Sequence, residues 1–351
     1  MQRFAGISAL IRAVSLGLML SLGCGWGLAA PKLSQVPPRA RETILARTAN
    51  GTIERLERVV ENGENVYEVD WKKDQVQRSL TVAEDGTLLS SQVLLSEVPS
   101  AAQTAIRTQL GDATLRNIFW TDDLGEISFE VEVTRNGKAH SFSVTPEGKL
   151  LSVQVSLAET PAPVRKTVQA HLGKARLGEV HRVVEDDETT YAIETHHDGK
   201  KQSFNVAADG EFLSYSVLLA ETPPPVQKTV KQQVENGRLG EIERSEAAGE
   251  STYDVRTFSN GRRRSFTVAA DGRITSLQVL LSETPAPVQQ KIQEQSDGAS
   301  IVRIDRTSQG RETLYEVETK KLGKKVVFLV SADGKLERKA DPRQQKPERT
   351  P

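Results

Sequence analysis

Ala158-Glu159-Thr160-Pro161-Ala162-Pro163-Val164-Arg165-Lys166-Thr167-Val168 returns 62 residues later as Ala220-Glu221-Thr222-Pro223-Pro224-Pro225-Val226-Gln227-Lys228-Thr229-Val230. The same step, without an insertion, separates Pro37, Pro99, Pro161, Pro223 and Pro285. It also separates Gly86, Gly148, Gly210, Gly272 and Gly334, and the aromatics Tyr67, Phe129, Tyr191, Tyr253 and Tyr315. A fixed period of this kind means one supersecondary unit repeated in tandem. The expected copies run over 34–95, 96–157, 158–219, 220–281 and 282–340.

Within the quoted stretch, Thr160 is expected to cap a helix whose first position is taken by Pro161, where a missing N–H costs nothing. Val164, Val168 and Leu172 then fall on one stripe of that helix, and Gly173 ends it. Strand patterns follow. Leu177 to Val184 and Thr190 to Thr195 flank an acidic turn, and Tyr191 and Ile193 alternate with polar neighbours, which is the two-residue period of a strand. Asn136-Gly137, Asp198-Gly199 and Asn260-Gly261 supply the next hairpin turns, because these pairs tolerate positive φ. A third strand carries Phe204 and Val206, Asp209-Gly210 turns the chain again, and a fourth strand from Phe212 to Leu219 runs into the next helix. The fold class expected is α+β: five tandem repeats, each one helix packed on a four-stranded antiparallel β-meander. A unit of about 60 residues is at the small end of what folds alone. The short Leu157–Thr160 connection suggests copies that pack on or constrain their neighbours; independent beads are the other reading.

Residues 1–30 read as a signal peptide, with Arg3 and Arg12 before an apolar run from Ala13 to Leu22 and a small-residue exit at Gly27 to Ala30. The run is about half of the roughly 20 residues that a spanning helix needs. Cys24, the single cysteine, stands where a lipoprotein leader places its acylated residue, so lipidation there is a second expectation beside ordinary cleavage. In either case no internal disulfide can form. The destination is periplasmic or secreted, with contact to a membrane only through the leader or a lipid anchor. The chain carries a formal charge of −1; the leader holds two arginines and no acid, leaving −3 on the remainder. So balanced a chain lacks the basic footprint of a nucleic-acid binder. Residues 341–351, rich in Pro, Gln and charge, read as a disordered tail.

The run Tyr315-Glu316-Val317-Glu318, Gly323-Lys324-Lys325, Phe328-Leu329-Val330 and Asp333-Gly334-Lys335-Leu336 resembles the PepSY and PepSY-like domains. Phe129-Glu130-Val131-Glu132, through Gly137-Lys138 to Gly148-Lys149-Leu150-Leu151, resembles them too. The resemblance covers most of residues 34–340. It implies a helix on an antiparallel sheet, as found in propeptides of secreted peptidases and in other exported proteins; the PepSY-like branch is compared with a β-lactamase-inhibitor protein. It implies binding or inhibition of an extracytoplasmic protein rather than catalysis.

The residues themselves offer little chemistry. Of the histidines His140, His171, His181, His196 and His197, only the last two adjoin, and neighbours on a strand point to opposite faces. No H-E-x-x-H, G-x-S-x-G or phosphate-loop motif occurs. Glu97, Glu159, Glu221 and Glu283 recur beside the helix starts and are expected to offset the helix dipole. No enzyme, no metal and no cofactor is therefore expected. Departures between copies are better leads. Four copies carry Glu57-Arg58, His181-Arg182, Glu243-Arg244 and Asp305-Arg306 in the first strand, where the second has Phe119-Trp120. Phe119 and Trp120 are candidate partner anchors, or packing between copies. The hairpin between strands two and three is basic, with Lys72, Lys73, Arg135, Lys138, His196, His197, Lys200, Lys201, Arg262, Arg263, Arg264, Lys320, Lys321, Lys324 and Lys325. In register these would form a ridge for an acidic protein or an anionic polymer, or discourage sheet-edge aggregation. The expected partner is an envelope or secreted protein, with a peptidase as the specific form and an anionic envelope polymer as the alternative.

Overall fold

The computed structural model describes residues 32–340, apart from 62–63, 186–187, 198–199, 236, 248, 260–261, 310–311 and 322–323. The leader with Cys24, the 341–351 tail and the turns expected at Asp198-Gly199 and Asn260-Gly261 lie outside the described residues. The chain forms two compact units that meet at Ala220 and Glu221 in sequence.

The first unit contains helix α1 (Pro38–Arg47), strands β1 (Thr52–Glu61), β2 (Glu64–Lys73), β3 (Val76–Ala83) and β4 (Leu88–Val93), then α2 (Ser100–Leu110). It continues through β5 (Thr114–Asp123), β6 (Glu126–Arg135), β7 (Lys138–Val144), β8 (Leu150–Val155), α3 (Ala162–Leu172), β9 (Arg176–Glu185), β10 (Glu188–His197), β11 (Lys200–Ala207) and β12 (Phe212–Val217). The second unit holds α4 (Pro224–Val234), β13 (Arg238–Ala247), β14 (Glu250–Ser259), β15 (Arg262–Ala269) and β16 (Ile274–Gln278). It ends with α5 (Ala286–Ser296), β17 (Ser300–Gln309), β18 (Glu312–Lys321), β19 (Lys324–Ser331) and β20 (Leu336–Ala340). The helices begin at residues 38, 100, 162, 224 and 286, so the sequence step is also the structural step.

Within the first unit every strand pairs antiparallel with the next in sequence, from β1 through β12. The pairing does not stop at the helices: β4 pairs β5 through Gln92↔Phe119, and β8 pairs β9 through Gln154↔His181. The second unit repeats this from β13 through β20, with β16 joined to β17 by Leu277↔Arg306. The beads reading is therefore replaced, inside each unit, by copies fused edge to edge into one sheet.

All helices lie on one side of their sheet. Val164 and Val168 of α3 are fully buried against Val180, Tyr191, Ile193, Phe204 and Val206. Each such aliphatic side chain contributes about 1.5–3 kcal/mol. Gly210 at φ +92° closes the Asp-Gly turn against the helix, so closely that a Cβ would stand 2.6 Å from Pro163 Cβ. The hydroxyl of Thr167 donates to the Gly210 carbonyl at 2.6 Å, pinning the turn to α3.

The helix start differs from expectation. Pro161, not Thr160, precedes the first helical residue, and the Thr160 hydroxyl donates to the Leu157 carbonyl at 2.8 Å. Thr160 thus closes the 3-10 turn Leu157–Glu159 instead of capping α3. Glu159 serves the same turn: its carboxylate accepts from the Ser156 N–H and hydroxyl, each at 2.7 Å. Glu97 and Glu283 accept likewise from Leu94 and Leu280 N–H. These carboxylates brace the approach to the helix, a tighter role than offsetting its dipole.

Candidate functional site

With the helices on one side, the other face of the first unit's sheet is left to side chains alone. Strand alternation puts Gln92, Asn117, Phe119, Glu130, Glu132, Gln154, His181 and Glu194 on it, opposite the helix-facing Ile118, Val131, Val180 and Ile193. Short polar residues line the face between them: Ser90, Ser128, Ser143, Ser152, Asn205 and Ser214 are all buried. Each first strand carries a bulge, as between Leu115 and Asn117 in β5, and bulges bend and twist the strand that holds them.

The charged groups of this face gather around β6, β9 and β10. Glu130 is half-buried, and its carboxyl has no hydrogen bond or ion pair among the described residues. Burial, together with the neighbouring Glu132 and Glu179 carboxylates, pushes it up to about 8, against a smaller opposing pull from Lys201. Glu132 accepts from Asn117 Nδ2 at 2.7 Å, and Asn117 in turn accepts from Gln92 Nε2 at 2.9 Å. Glu179 lies 3.0 Å from Nε2 of the buried His181, a contact that holds this carboxyl below the usual range. Glu194 meets His196 Nε2 at 2.7 Å and Lys201 Nζ at 2.5 Å. His181 Nδ1 is buried without a partner.

The sequence-selected residues scatter around this cluster. His196 belongs to it, whereas His197 takes the opposite face of β10. Phe119 and Trp120 also part: Phe119 is 4% exposed on the helix-free face, beside Glu130 in the register. Trp120 packs against the core clusters of both the first and the second copy, so its indole joins copies. Much of the basic hairpin is already engaged. Arg135 donates to the carbonyls of Gln109 and Leu110 at the end of α2, and Lys321 to the carbonyl of Asp297 after α5. Arg264 pairs with Glu283 at 2.5 Å, while Arg262 is exposed and Arg263 half-buried on β15.

Glu130, Glu132, Glu179, His181 and Glu194 were not singled out from sequence as a group, since they meet only through the register of β5, β6, β9 and β10. A second set was missed as well. His171 stacks on Phe212 at 4.5 Å, and Phe212 touches Tyr215 at 4.6 Å, at the end of α3. Copy-to-copy comparison at the 62-residue step was the available signal for both. No helix is long and apolar enough to span a membrane, and no group of three metal-binding side chains occurs, both among the described residues.

Residues 251–338, from β14 to β20, match the family model described as "Putative beta-lactamase-inhibitor-like, PepSY-like". That stretch is a PepSY-like domain. No curated protein matches the chain. Among solved structures, the chain is similar to a BLIP-like protein from Bacteroides fragilis at 16% identity and TM-score 0.27, covering 37% of this chain and 93% of that one. It is also similar to a protein from Bacteroides thetaiotaomicron described as a "putative calcium-regulated periplasmic protein", at 16% identity and TM-score 0.24, over 36% and 95%. A "putative periplasmic" protein from Bacteroides eggerthii matches at 16% identity and TM-score 0.26, over 33% and 86%.

Proposed function

We propose that this protein is exported and non-enzymatic, and that it recognises another envelope or secreted protein through the helix-free sheet face of its first unit. Export rests on the leader read in residues 1–30. The observation that carries recognition is the gathering of Glu130, Glu132, Glu179, His181, Glu194 and His196 on a face no helix covers. A carboxyl held without a hydrogen bond costs stability, and such costs concentrate where a side chain serves binding. Inhibition of a peptidase is the specific form suggested by the inhibitor-like family description. The anionic-polymer alternative is weaker, because Arg135, Lys201, Arg264 and Lys321 already have partners within the chain.

The test is capture and inhibition. Protein lacking residues 1–30 is used as bait on envelope fractions and assayed against a panel of secreted peptidases. Specific retention or slowed proteolysis is expected, lost in Ser141→Trp, which fills the helix-free face, and kept in Lys166→Glu on exposed α3. Capture that ignores Ser141→Trp removes the face from the proposal. Retention that vanishes with modest salt and ignores the face favours the polymer reading.

A further inference from the structure

Inside each unit the seam between copies has one chemistry. The fourth strand of a copy lies antiparallel against the first strand of the next, over a short run that follows the bulge. In β4 that run is Ser90-Ser91-Gln92-Val93, and in β8 it is Ser152-Val153-Gln154-Val155. At β16 it is Ser276-Leu277-Gln278, and the following Val279 N–H donates to the Ile304 carbonyl at 2.9 Å. None of these runs carries a charge. The first strands that accept them read Ile118-Phe119-Trp120-Thr121, Val180-His181-Arg182-Val183 and Ile304-Asp305-Arg306-Thr307. The register is the same each time: the Gln stands opposite Phe119, His181 or Asp305, and the residue before it opposite Trp120, Arg182 or Arg306.

The first and last copies depart from this rule in opposite ways. β1 keeps the accepting sequence, Leu56-Glu57-Arg58-Val59, and among the described residues it pairs only with β2. Phe119, His181 and Asp305 are buried at their seams, whereas Glu57 in the matching place is exposed. At the 62-residue step, the positions that would cover it are Leu28, Ala29, Ala30 and Pro31; three belong to the leader, and Pro31 has no N–H for a ladder. At the other end, β20 has Arg338-Lys339-Ala340 where the seam strands have Ser-x-Gln. Laid against β1 in the seam register, Lys339 would stand across from Arg58, and like charges directly opposite destabilise a pair. Charges of this kind guard an edge against growth. The chain therefore keeps an accepting edge and lacks the strand to fill it in a second copy.

We propose that β1 is a docking edge for an extended segment of a partner protein: an uncharged run of the form Ser-x-Gln-Val adds antiparallel beside Leu56–Val59 as a further strand. Backbone hydrogen bonds to the open edge supply attraction, and the side chains set selectivity. The residue at x faces Arg58 and is uncharged, as Val153 and Leu277 are opposite Arg182 and Arg306. The edge is a different surface from the helix-free face, and its occupancy does not depend on that face.

The probe is N-acetyl-Leu-Leu-Ser-Val-Gln-Val-Ser-amide, which copies residues 150–156, and the control is Leu-Glu-Arg-Lys-Ala-Asp-Pro from residues 336–342. Protein lacking residues 1–30 has no cysteine. Glu57→Cys therefore offers a single thiol to a probe carrying cysteine in place of its Gln. Directly opposite residues come close enough for a disulfide, and those two positions away do not. Trapping is expected to be at least tenfold faster for that probe than for one with cysteine in place of its first Ser. In the unsubstituted protein the probe is expected to slow hydrogen exchange at 56–59 at least tenfold, with the control peptide without effect. Sedimentation of the protein alone is expected to show a monomer. Trapping without register preference, or exchange at 56–59 untouched by the probe, overturns the docking edge. Equal protection by the control peptide overturns the Ser-x-Gln-Val assignment. A protein that associates with itself and protects 56–59 overturns the partner in favour of a second copy. If Glu57→Cys fails to fold, exchange in the unsubstituted protein decides. Ser141→Trp is expected to leave probe binding unchanged, so loss of capture in that variant and loss of probe binding count against different surfaces.

Discussion

Glu130→Gln isolates the energetics of the helix-free face. Burial and two neighbouring carboxylates raise Glu130 from 4.5 to about 8, and no hydrogen bond offsets the cost of its charge. An acid raised in the folded state holds its proton more tightly there than in the unfolded chain. Stability is therefore undiminished below about pH 4.5, falls as the pH climbs toward 8, and levels off beyond it. Each pH unit in that window counts about 1.4 kcal/mol, so the raised value lowers stability by up to about 3 kcal/mol at pH 7 and up to about 5 kcal/mol at pH 8. Glutamine keeps the shape and cannot ionise. The variant is expected to be more stable than the parent at pH 8 by up to that order and no more stable at pH 4.5. Trp71 and Trp120 both lie in the first unit, so in protein lacking residues 1–30 their fluorescence during urea unfolding reports that unit. A side-chain carboxyl NMR titration locates the midpoint. A midpoint below 6, or a variant no more stable than the parent at pH 8, refutes the reasoning.

Other perturbations test the scaffold. Gly137 at φ +74° has open space where a Cβ would go, whereas at Gly148, φ +85°, a Cβ would stand 2.7 Å from the Ala101 carbonyl oxygen. Gly137→Ala should cost about 1–2 kcal/mol of backbone strain, and Gly148→Ala about 1–3 kcal/mol more by pushing the turn off α2; hydrogen exchange in α2 separates them. Trp120→Ala should destabilise the first unit by about 3 kcal/mol, as large-to-small changes in packed sites do, and broaden its urea transition by loosening the second copy from the first. Thr167→Val should cost about 1 kcal/mol by removing its bond to Gly210, read as faster exchange confined to the Gly210 turn.

The legible part of the fold was the part fixed by backbone chemistry. Gly210, Phe204 and Val206 each constrain turn type or burial within their own neighbourhood, and each keeps its expected element, whereas Pro161 stands one residue before the helix it was expected to open. Thr160 was misassigned because a hydroxyl three residues from a carbonyl can close a 3-10 turn as readily as it can cap a helix, and Leu157 offers that carbonyl. The pairing of β4 with β5 was not legible, since two edges separated by a helix meet through register and nothing in Gln92 or Phe119 announces the other. The same limit hid the acidic cluster. Glu130 and Glu179 are far apart in sequence and reach one another only because β7 and β8 bring β6 and β9 onto one sheet.

The two faces of the sheet answer to different physics, and that difference explains where the copies vary. On the helix side, positions 69, 131, 193, 255 and 317 are Val, Val, Ile, Val and Val, all fully buried. A methyl lost there leaves a cavity, so the residue is held. On the helix-free side, positions 55, 117, 179, 241 and 303 are Arg, Asn, Glu, Glu and Arg. Here the requirement is only that donors meet acceptors, and a pair can exchange polarity as a whole, as Arg55–Asp70 and Glu241–Arg256 do, with the backbone unchanged. The copies are therefore alike in backbone and distinct in charge. Only in the third are both members acids, and there the donors come from elsewhere on the face: His181 to Glu179, and His196 and Lys201 to Glu194.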